Sequence, residues 1–407
     1  MDYKFISGGV TAPKGFKAAG VHCGIRKNQS KPDLAMIYSE VPCSAAAVYT
    51  KNLVQGAHIA VTKENLKDGT AKAVVCNSGN ANTCNADGVE KAHLMCKSAA
   101  KELGIDEKDV IVASTGVIGQ ILPIEPIESA MPELVRSLSE NGSENAAKAI
   151  MTTDTFVKNL AVECSIDGNT VKIGGIAKGS GMIHPNMGTL LCFITTDAAI
   201  SSKALDTALR SAVDVSFNMV SIDGDTSTND TCTVMASGLA GNDEITSENS
   251  KGYNVFTEAL TALCTALARM IAKDGEGASK LIVCSVSGAK NKHNARKAAK
   301  AVIHSDLLKA AMFGADANWG RVLCAVGYSE AETDINKIGV SFSSKTGKID
   351  VCKNGAGIPF DERKAKEILS EDEVNIFITM CDGKASATAY GCDLTYNYVK
   401  INGEYRS

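Results

Sequence analysis

The sequence predicts a mixed α/β protein in which sheets pack against helices in layers. Short runs of β-branched residues alternate with amphipathic helical patterns along the whole chain. Two segments, 161–178 and 337–352, have the pattern of β-hairpins, which place neighbouring strands antiparallel. We therefore expect an α+β or mixed layered arrangement and not a strict array of β–α–β units.

The predicted elements follow one another without an internal repeat or a linker rich in Pro, Gly and Ser. The first half predicts strands at 71–77 and 109–115, helices at 88–103 and 123–138, and the hairpin at 161–178. The middle predicts an apolar strand at 189–198, helices at 201–217 and 254–272, a strand at 280–286 and a helix ending near 304. The last part predicts a strand at 321–329, the hairpin at 337–352, a helix at 361–370 and strands to the end.

The composition excludes several classes of protein. The chain has 407 residues, 44% of them hydrophobic, which is enough for a sizeable core and too apolar for disorder. Its 42 basic residues are outnumbered by 46 acidic ones, so we expect no nucleic-acid partner. No apolar run approaches the roughly 20 residues that span a bilayer, and the N-terminus lacks a signal-peptide core. We expect a cytoplasmic protein without a membrane segment.

The fourteen cysteines do not have the spacing of metal ligands. No Cys-x-x-Cys pair occurs, and the six histidines are equally scattered. Many of the cysteines stand inside apolar strand-like runs, as Cys192 and Cys284 do. We interpret them as buried, reduced thiols that act as small hydrophobic residues. The sequence therefore predicts no metal site and no resident cofactor.

Residues 177–198 depart from the general pattern, because a glycine-rich loop runs directly into a hydrophobic strand at Gly188–Thr189. A threonine at the start of a buried strand is usually only a good strand former. Here the flanking glycines allow a turn that could present the Gly188 carbonyl to the Thr189 hydroxyl. Attack would give an N→O acyl shift, and ester hydrolysis would free Thr189 as a new N-terminus. Its α-amine, with a pKa of about 8, could then act as base for its own hydroxyl.

The segment KGSGMIHPNMGTLLCFITTDA closely resembles the processing signature of the ornithine acetyltransferase family, also called glutamate N-acetyltransferases. The family usually has Ala where this chain has Gly188. Further blocks match the family in order along the chain: GGVTAPKGFKAAG, NSGNANTCNADG, STGVIG, MTTDTF, SFNMVSIDGDTSTND, DGEGASK, FGADANWGR and YVKINGEYRS. The resemblance implies an autoprocessed fold of the N-terminal-nucleophile type. It also implies an α chain of residues 1–188 and a β chain of residues 189–407, interleaved in one functional unit.

The resemblance implies roles for individual residues. Thr189 is the nucleophile, and the bond Gly188–Thr189 is the one cleaved. Thr115 and Gly116 match the oxyanion pair, a hydroxyl and a backbone N–H that face the developing negative charge. The positions matching substrate contacts are Thr152, Lys178, Thr189, Glu276, Asn402 and Ser407.

Some of these assignments stay open at the sequence level. Thr153 is the alternative to Thr152 if the match slips by one residue. Lys178 suits the α-carboxylate of an amino acid. Glu276 suits an ammonium group, either that of the ornithine side chain or the new amine of Thr189. His184 stands at a variable position of the signature, and we assign it no catalytic role.

The implied activity is acetyl transfer from N2-acetylornithine to L-glutamate by a ping-pong route in arginine biosynthesis. Some family members also take acetyl from acetyl-CoA, and no phosphate-binding motif decides that point here. The alternative is an N-terminal-nucleophile amidase or aminopeptidase that passes the acyl group to water. An unprocessed structural paralogue would need loss of Thr189 or of the oxyanion pair, and both are present. The resemblance further implies a heterotetramer of two α and two β chains.

Overall fold

The computed structural model describes residues 3–184 and 190–404. Gly188, Thr189 and Ser407, three of the predicted site residues, lie outside the described residues. All the other predicted site residues lie within them.

The strands and helices of the described residues alternate in chain order. The strands are β1 (Tyr3–Ile6), β2 (Phe16–Val21), β3 (Leu34–Tyr49), β4 (Thr70–Asn77), β5 (Val110–Ser114), β6 (Lys158–Ile166), β7 (Asn169–Lys178), β8 (Leu191–Thr196), β9 (Val220–Ser221), β10 (Thr231–Ala236), β11 (Leu281–Ala289), β12 (Gly339–Ser344), β13 (Gly347–Lys353), β14 (Ala356–Gly357), β15 (Glu373–Thr379) and β16 (Ala385–Cys392). The helices are α1 (Ala57–Asn65), α2 (Gly88–Leu103), α3 (Ile124–Arg136), α4 (Ser143–Ile150), α5 (Ser202–Val215), α6 (Tyr253–Lys273), α7 (Lys292–His304), α8 (Asp306–Phe313), α9 (Trp319–Tyr328), α10 (Glu362–Leu369) and α11 (Tyr396–Glu404).

The strands form two sheets. The first has the order β1-β6-β7-β8-β10-β3-β4-β5, with β2 paired to the first part of the long strand β3. The second has the order β14-β13-β12-β15-β11-β16-β9. In the first sheet β8 is antiparallel to β7 and parallel to β10, and every residue of β8 and β10 is buried. Two strands from after position 189, β8 and β10, therefore lie between strands from before it within one sheet.

The layers are held together by apolar contacts on both faces of each sheet. Helices α5 and α6 lie between the two sheets and share one core with the first sheet and with β11 and β16. Helix α4 covers the opposite face of the first sheet, and α2 and α3 pack near its β4–β5 end. Helices α7 to α10 cover the outer face of the second sheet. The predicted mixed α/β layering is confirmed.

Two predicted strands are helices in the structure. Residues 321–329 belong to α9, which begins after Asn318, whose side chain accepts a hydrogen bond from the Arg321 N–H at 3.1 Å. Its buried residues are Val322, Ala325 and Val326, a helical spacing within a continuous apolar run. Residues 396–404, predicted to belong to a terminal strand, form helix α11 instead.

Helix α6 has the length and apolar character of a membrane span by composition alone, with a mean hydropathy of 1.5 over 18 residues. Half of that window is buried inside the protein. Its buried residues pack in the core that both sheets share. The apolar sequence of α6 is thus accounted for by its place between the sheets.

All fourteen cysteines lie within the described residues and are free thiols. Ten are buried, Cys23 is half-buried, and Cys84, Cys324 and Cys381 are exposed. Burial raises the pKa of thiols such as Cys76 and Cys392 to about 12, which keeps them protonated and unreactive. The interpretation of the cysteines as mostly buried, reduced thiols agrees with the structure.

Candidate active site

One cavity of about 290 Å³ collects the predicted site residues that the structure describes. Its lining includes Thr115, Gly116, Thr152, Thr153, Lys178, Glu276 and Asn402. These residues come from loops and element ends that are far apart in the sequence. Both threonines at 152 and 153 line the cavity, so the choice between them stays open. Their roles in chemistry remain predictions.

The predicted oxyanion pair follows β5, a fully buried strand at one end of the first sheet. Strand β5 ends at Ser114, and the Thr115 N–H donates to the Asn77 carbonyl at 3.0 Å. Gly116 has φ = +132°, and a Cβ there would lie 2.6 Å from the carbonyl carbon of Gly79. No residue with a side chain fits this conformation and this contact. The backbone of Gly116 is therefore fixed beside the Thr115 hydroxyl.

Asn229, which our sequence analysis did not single out, ties the loops on this side of the cavity together. Its side-chain amide donates to the carbonyls of Ala81 at 2.5 Å and Ser114 at 2.8 Å. Its carbonyl oxygen accepts from the Thr83 hydroxyl at 2.8 Å. A buried Asn that makes three such bonds rigidifies its surroundings. Its position in the block SFNMVSIDGDTSTND was the only sequence signal for it.

Lys178 is the last residue of β7, at the end of the predicted hairpin. Its Cα is paired with that of Leu191 in β8, and the residue is only 9% exposed. Burial lowers the pKa of the Lys178 ammonium, while nearby Asp154 acts in the opposite direction. Because β7 is paired with β6 on one side and β8 on the other, the end of the strand is fixed. The ammonium of Lys178 can bind an anionic group there.

Glu276 lines the same cavity as Lys178, from the loop that follows α6. Its Oε2 accepts a hydrogen bond from the Asn402 amide at 2.8 Å, which brings helix α11 to the site. A Cβ at Gly181 would lie 2.4 Å from the Glu276 carboxyl group. Gly181 is therefore needed to leave room for this carboxylate. Asn402 belongs to helix α11 and not to the predicted terminal strand.

Asp230 is a buried carboxyl group that sequence reasoning missed. It lies beside Ser227 and near Leu190, the residue that follows Thr189 in the sequence. Burial raises its pKa well above the usual range, against the opposing effect of Lys178. Within the described residues its Oδ2 has no hydrogen-bond partner. A charged strand-end residue in an apolar segment was the only sequence signal.

His184 lies outside this cavity and lines a different one of about 440 Å³. Its Nδ1 is 3.0 Å from the Ser221 hydroxyl, and its ring is 4.8 Å from that of His304. Burial, with Lys300 and His304 nearby, lowers the pKa of His184 to about 3. The imidazole is therefore neutral at physiological pH.

The cavity combines two kinds of chemistry. One side offers a hydroxyl and a backbone N–H at a rigid strand end, which suits the oxygen of a tetrahedral acyl intermediate. The other side offers an ammonium and a carboxylate, which suit a small substrate that carries both charges. Together, the layered fold and this site define an acyltransferase that acts on small charged molecules.

Comparisons with known proteins specify the family. Residues 17–407 match the family model described as the ArgJ family. The arginine biosynthesis bifunctional protein ArgJ of Caldanaerobacter subterraneus subsp. tengcongensis is 49% identical over 405 residues, which is 99% of this chain and 100% of that protein. The protein of the same name from Bacillus subtilis is 48% identical over 99% of this chain and 97% of its own. This chain belongs to the ArgJ family.

A solved structure agrees with this assignment. The crystal structure of arginine biosynthesis bifunctional protein ArgJ from Bacillus halodurans is 44% identical, with a TM-score of 0.50. The match covers 52% of this chain and 98% of that chain. The solved chain therefore corresponds to about half of this one.

Proposed function

We propose that this protein is a glutamate N-acetyltransferase of arginine biosynthesis that transfers acetyl from N2-acetylornithine to L-glutamate. The observation that carries the proposal is the convergence of Thr115, Gly116, Lys178 and Glu276 on one cavity. The names of relatives that match nearly the full chain support the pathway. The hydrolase alternative has no comparable support.

The reaction proceeds through an acetyl ester on Thr189. The Thr189 hydroxyl attacks the acetyl carbonyl while its own α-amine takes the hydroxyl proton. The Thr115 hydroxyl and the Gly116 N–H stabilise the oxyanion of the tetrahedral intermediate. The C–N bond then breaks, the amine returns the proton to the leaving nitrogen, and ornithine departs. The amine of glutamate attacks the ester in the same way and restores the hydroxyl.

Substrate recognition uses the charged side of the cavity. Lys178 binds the α-carboxylate of donor and acceptor in turn. Glu276, held by Asn402, binds an ammonium group, either that of the ornithine side chain or the α-amine of Thr189. Thr152 or Thr153 and the terminal Ser407 complete the substrate contacts.

The free α-amine requires cleavage between Gly188 and Thr189. The products are an α chain of residues 1–188 and a β chain of residues 189–407. Support comes from the half-length solved relative and from the first sheet, in which β8 and β10 lie between β7 and β3. The two chains stay associated and pair into a cytoplasmic heterotetramer of two α and two β chains.

Acetyl-CoA is a second donor in this proposal, which agrees with the word "bifunctional" in the names of the relatives. The test is the initial rate of glutamate acetylation when acetyl-CoA is the only donor. Formation of N-acetylglutamate supports the second activity. A rate no higher than that without enzyme, from a preparation that uses N2-acetylornithine, restricts the protein to the ornithine-recycling reaction.

The covalent route has its own test. Transfer from N2-acetylornithine to glutamate should give parallel double-reciprocal lines, and mass spectrometry after mixing with donor alone should show one acetyl group on the 189–407 chain. Steady release of acetate that glutamate barely alters would favour the hydrolase. Intersecting lines without an adduct would reject Thr189 as the acetyl carrier.

A further inference from the structure

A buried ion-pair network lies directly behind the charged side of the cavity. Lys158, the first residue of β6, is fully buried, and its Nζ lies 2.7 Å from Asp154 Oδ1 and 2.5 Å from Asp274 Oδ2. The side chains of both aspartates are at most 1% exposed. None of these three residues lines the cavity. We call them the 154–158–274 triad.

Asp154 fixes two cavity segments at once. Its Oδ2 accepts from the Thr152 N–H at 2.9 Å, and its Oδ1 accepts from the Gly179 N–H at 2.7 Å. Thr152 itself lines the cavity, and Gly179 follows Lys178 directly. Burial alone would raise the pKa of Asp154, but Lys158, Lys178 and the hydrogen bonds hold it at about 2. The carboxylate is therefore ionised and accepts all of these bonds at neutral pH.

Asp274 fixes the third segment. Its carboxylate accepts from the N–H and the hydroxyl of Thr155, and its backbone carbonyl accepts from the Ser180 hydroxyl at 2.6 Å. The Ser180 carbonyl in turn accepts from the Glu276 N–H at 2.9 Å. The loop that carries Glu276 is thereby bound to the segment that carries Lys178.

These contacts make Lys158 the common centre of three segments: 152–155, 178–180 and 274–276. Two buried carboxylates that both lie beside one ammonium repel each other strongly when that cation is removed. Without the ammonium of Lys158, one of them must take a proton or move. Either change alters the bonds that hold the Thr152, Lys178 and Glu276 segments.

We infer that Lys158 is a positioning residue for acetyl transfer, which sets the spacing between the segments that carry Lys178 and Glu276 through Asp154 and Asp274. It does not touch substrate. The inference rests on the proposed function for its kinetic readout. The charge of Lys158, and not only its volume, keeps the segments of Lys178 and Glu276 at this spacing.

The test compares Lys158→Met with the double variant Lys158→Met/Asp274→Asn. Two carboxylates and one ammonium give the triad a net charge of −1, which the first substitution changes to −2 and the second restores. Asn at 274 keeps an oxygen that can accept from Thr155. We expect Lys158→Met to lower kcat/KM for N2-acetylornithine by about 100-fold, partly through KM, since misplacement by about 1 Å costs this much. The double variant should have a kcat/KM at least tenfold higher than that of Lys158→Met.

Two further variants complete the design. Lys4→Met removes an exposed ion pair with Glu163 on the neighbouring strand and serves as the matched control, with unchanged kinetics. Thr155→Val removes only the hydroxyl bond to Asp274 and keeps the bonds from the Thr155 N–H. We expect it to raise KM for the donor several-fold with an unchanged Tm. This variant decides the question if Lys158→Met does not fold.

The measurements distinguish failure of the inference from failure of the proposed function. Any one of three results would overturn the inference. The first is a folded Lys158→Met enzyme whose kcat/KM is within threefold of that of the unmodified protein. The others are a double variant no better than the single one and an unchanged KM in Thr155→Val. If the unmodified protein itself transfers no acetyl, the proposed function fails instead. Circular dichroism and Tm, measured for every variant, distinguish loss of fold from loss of positioning.

Discussion

At the scale of single residues, Thr115 offers a direct test of the oxyanion assignment. Its hydroxyl stands at the end of β5 beside a backbone that only glycine can adopt at 116. We expect Thr115→Ala to lower kcat by about 10²–10³-fold, the effect of losing one oxyanion donor. KM for N2-acetylornithine should change little, because the ground-state carbonyl gains less from the donor.

Steady-state kinetics and the rate of acetyl-adduct formation are the measurements. Thr115→Ser is the matched control, because it keeps a hydroxyl and should retain most of the activity. A Thr115→Ala enzyme with full kcat would remove Thr115 from the oxyanion hole.

Lys178 should give the enzyme a characteristic alkaline limit. Burial lowers the pKa of its ammonium, so the charge is present below that lowered pKa and is lost as the pH rises through it. The charged groups around it are Asp154 and Asp230, which favour the charged form, and Lys158 and Arg26, which oppose it. We expect KM for N2-acetylornithine to rise at a pH below the usual lysine value of about 10.5.

The pH dependence of KM in the variant Lys178→Arg is the comparison. Arginine stays protonated above pH 12, so the rise in KM should move out of the accessible range. The same inflection in both proteins would mean that another group, such as the substrate amine, causes it.

At the scale of elements, helix α11 is the part of the site most open to perturbation. It is anchored by the Thr395 hydroxyl, which donates to the Gly277 carbonyl at 2.6 Å, and by Asn402 on Glu276. We expect Thr395→Val to raise KM for the donor several-fold with little effect on Tm, because the helix loosens and Glu276 loses its fixed orientation. Hydrogen exchange of residues 396–404 should increase in parallel. Unchanged exchange would show that the helix is held elsewhere.

The sequence predicted elements well where the periodicity was unambiguous. Helix α2 has the predicted bounds 88–103, and the hairpin of β6 and β7 lies where the Asp-Gly-Asn turn placed it. The prediction of a strand at 321–329 was wrong, because a run of five apolar residues does not distinguish a strand from a buried helix. The cap at Asn318 was the signal that could have decided it.

The candidate site was predictable only through matched motifs. Thr115, Gly116, Lys178 and Glu276 were chosen from the family resemblance, and the structure places them around one cavity. The triad centred on Lys158 was not foreseen, because a lysine at the start of a strand is normally solvated. Its burial depends on Asp274, which is 116 residues away in the sequence. Such pairings arise from tertiary structure alone.

At the scale of the whole molecule, the central expectation is self-cleavage. The purified protein should run as two chains on a denaturing gel, and N-terminal sequencing of the 189–407 chain should begin TLLCF. Thr189→Ala should remain one chain, because no hydroxyl is left to attack Gly188. Thr189→Ser should still cleave, since it keeps the hydroxyl. An intact 407-residue chain with full transferase activity would contradict the mechanism.

The position of β8 and β10 between β7 and β3 in the first sheet also determines how the two-chain protein can be produced. Residues 3–184 alone would leave β7 and β3 without the strands that lie between them, and two open edges of a hydrophobic sheet would face solvent. Residues 190–404 alone would expose β8 and β10, whose residues are all buried in the complete sheet. Open, apolar strand edges are templates for aggregation. Separately expressed halves should therefore precipitate, and the two-chain enzyme should be obtainable only when one polypeptide folds before it is cut.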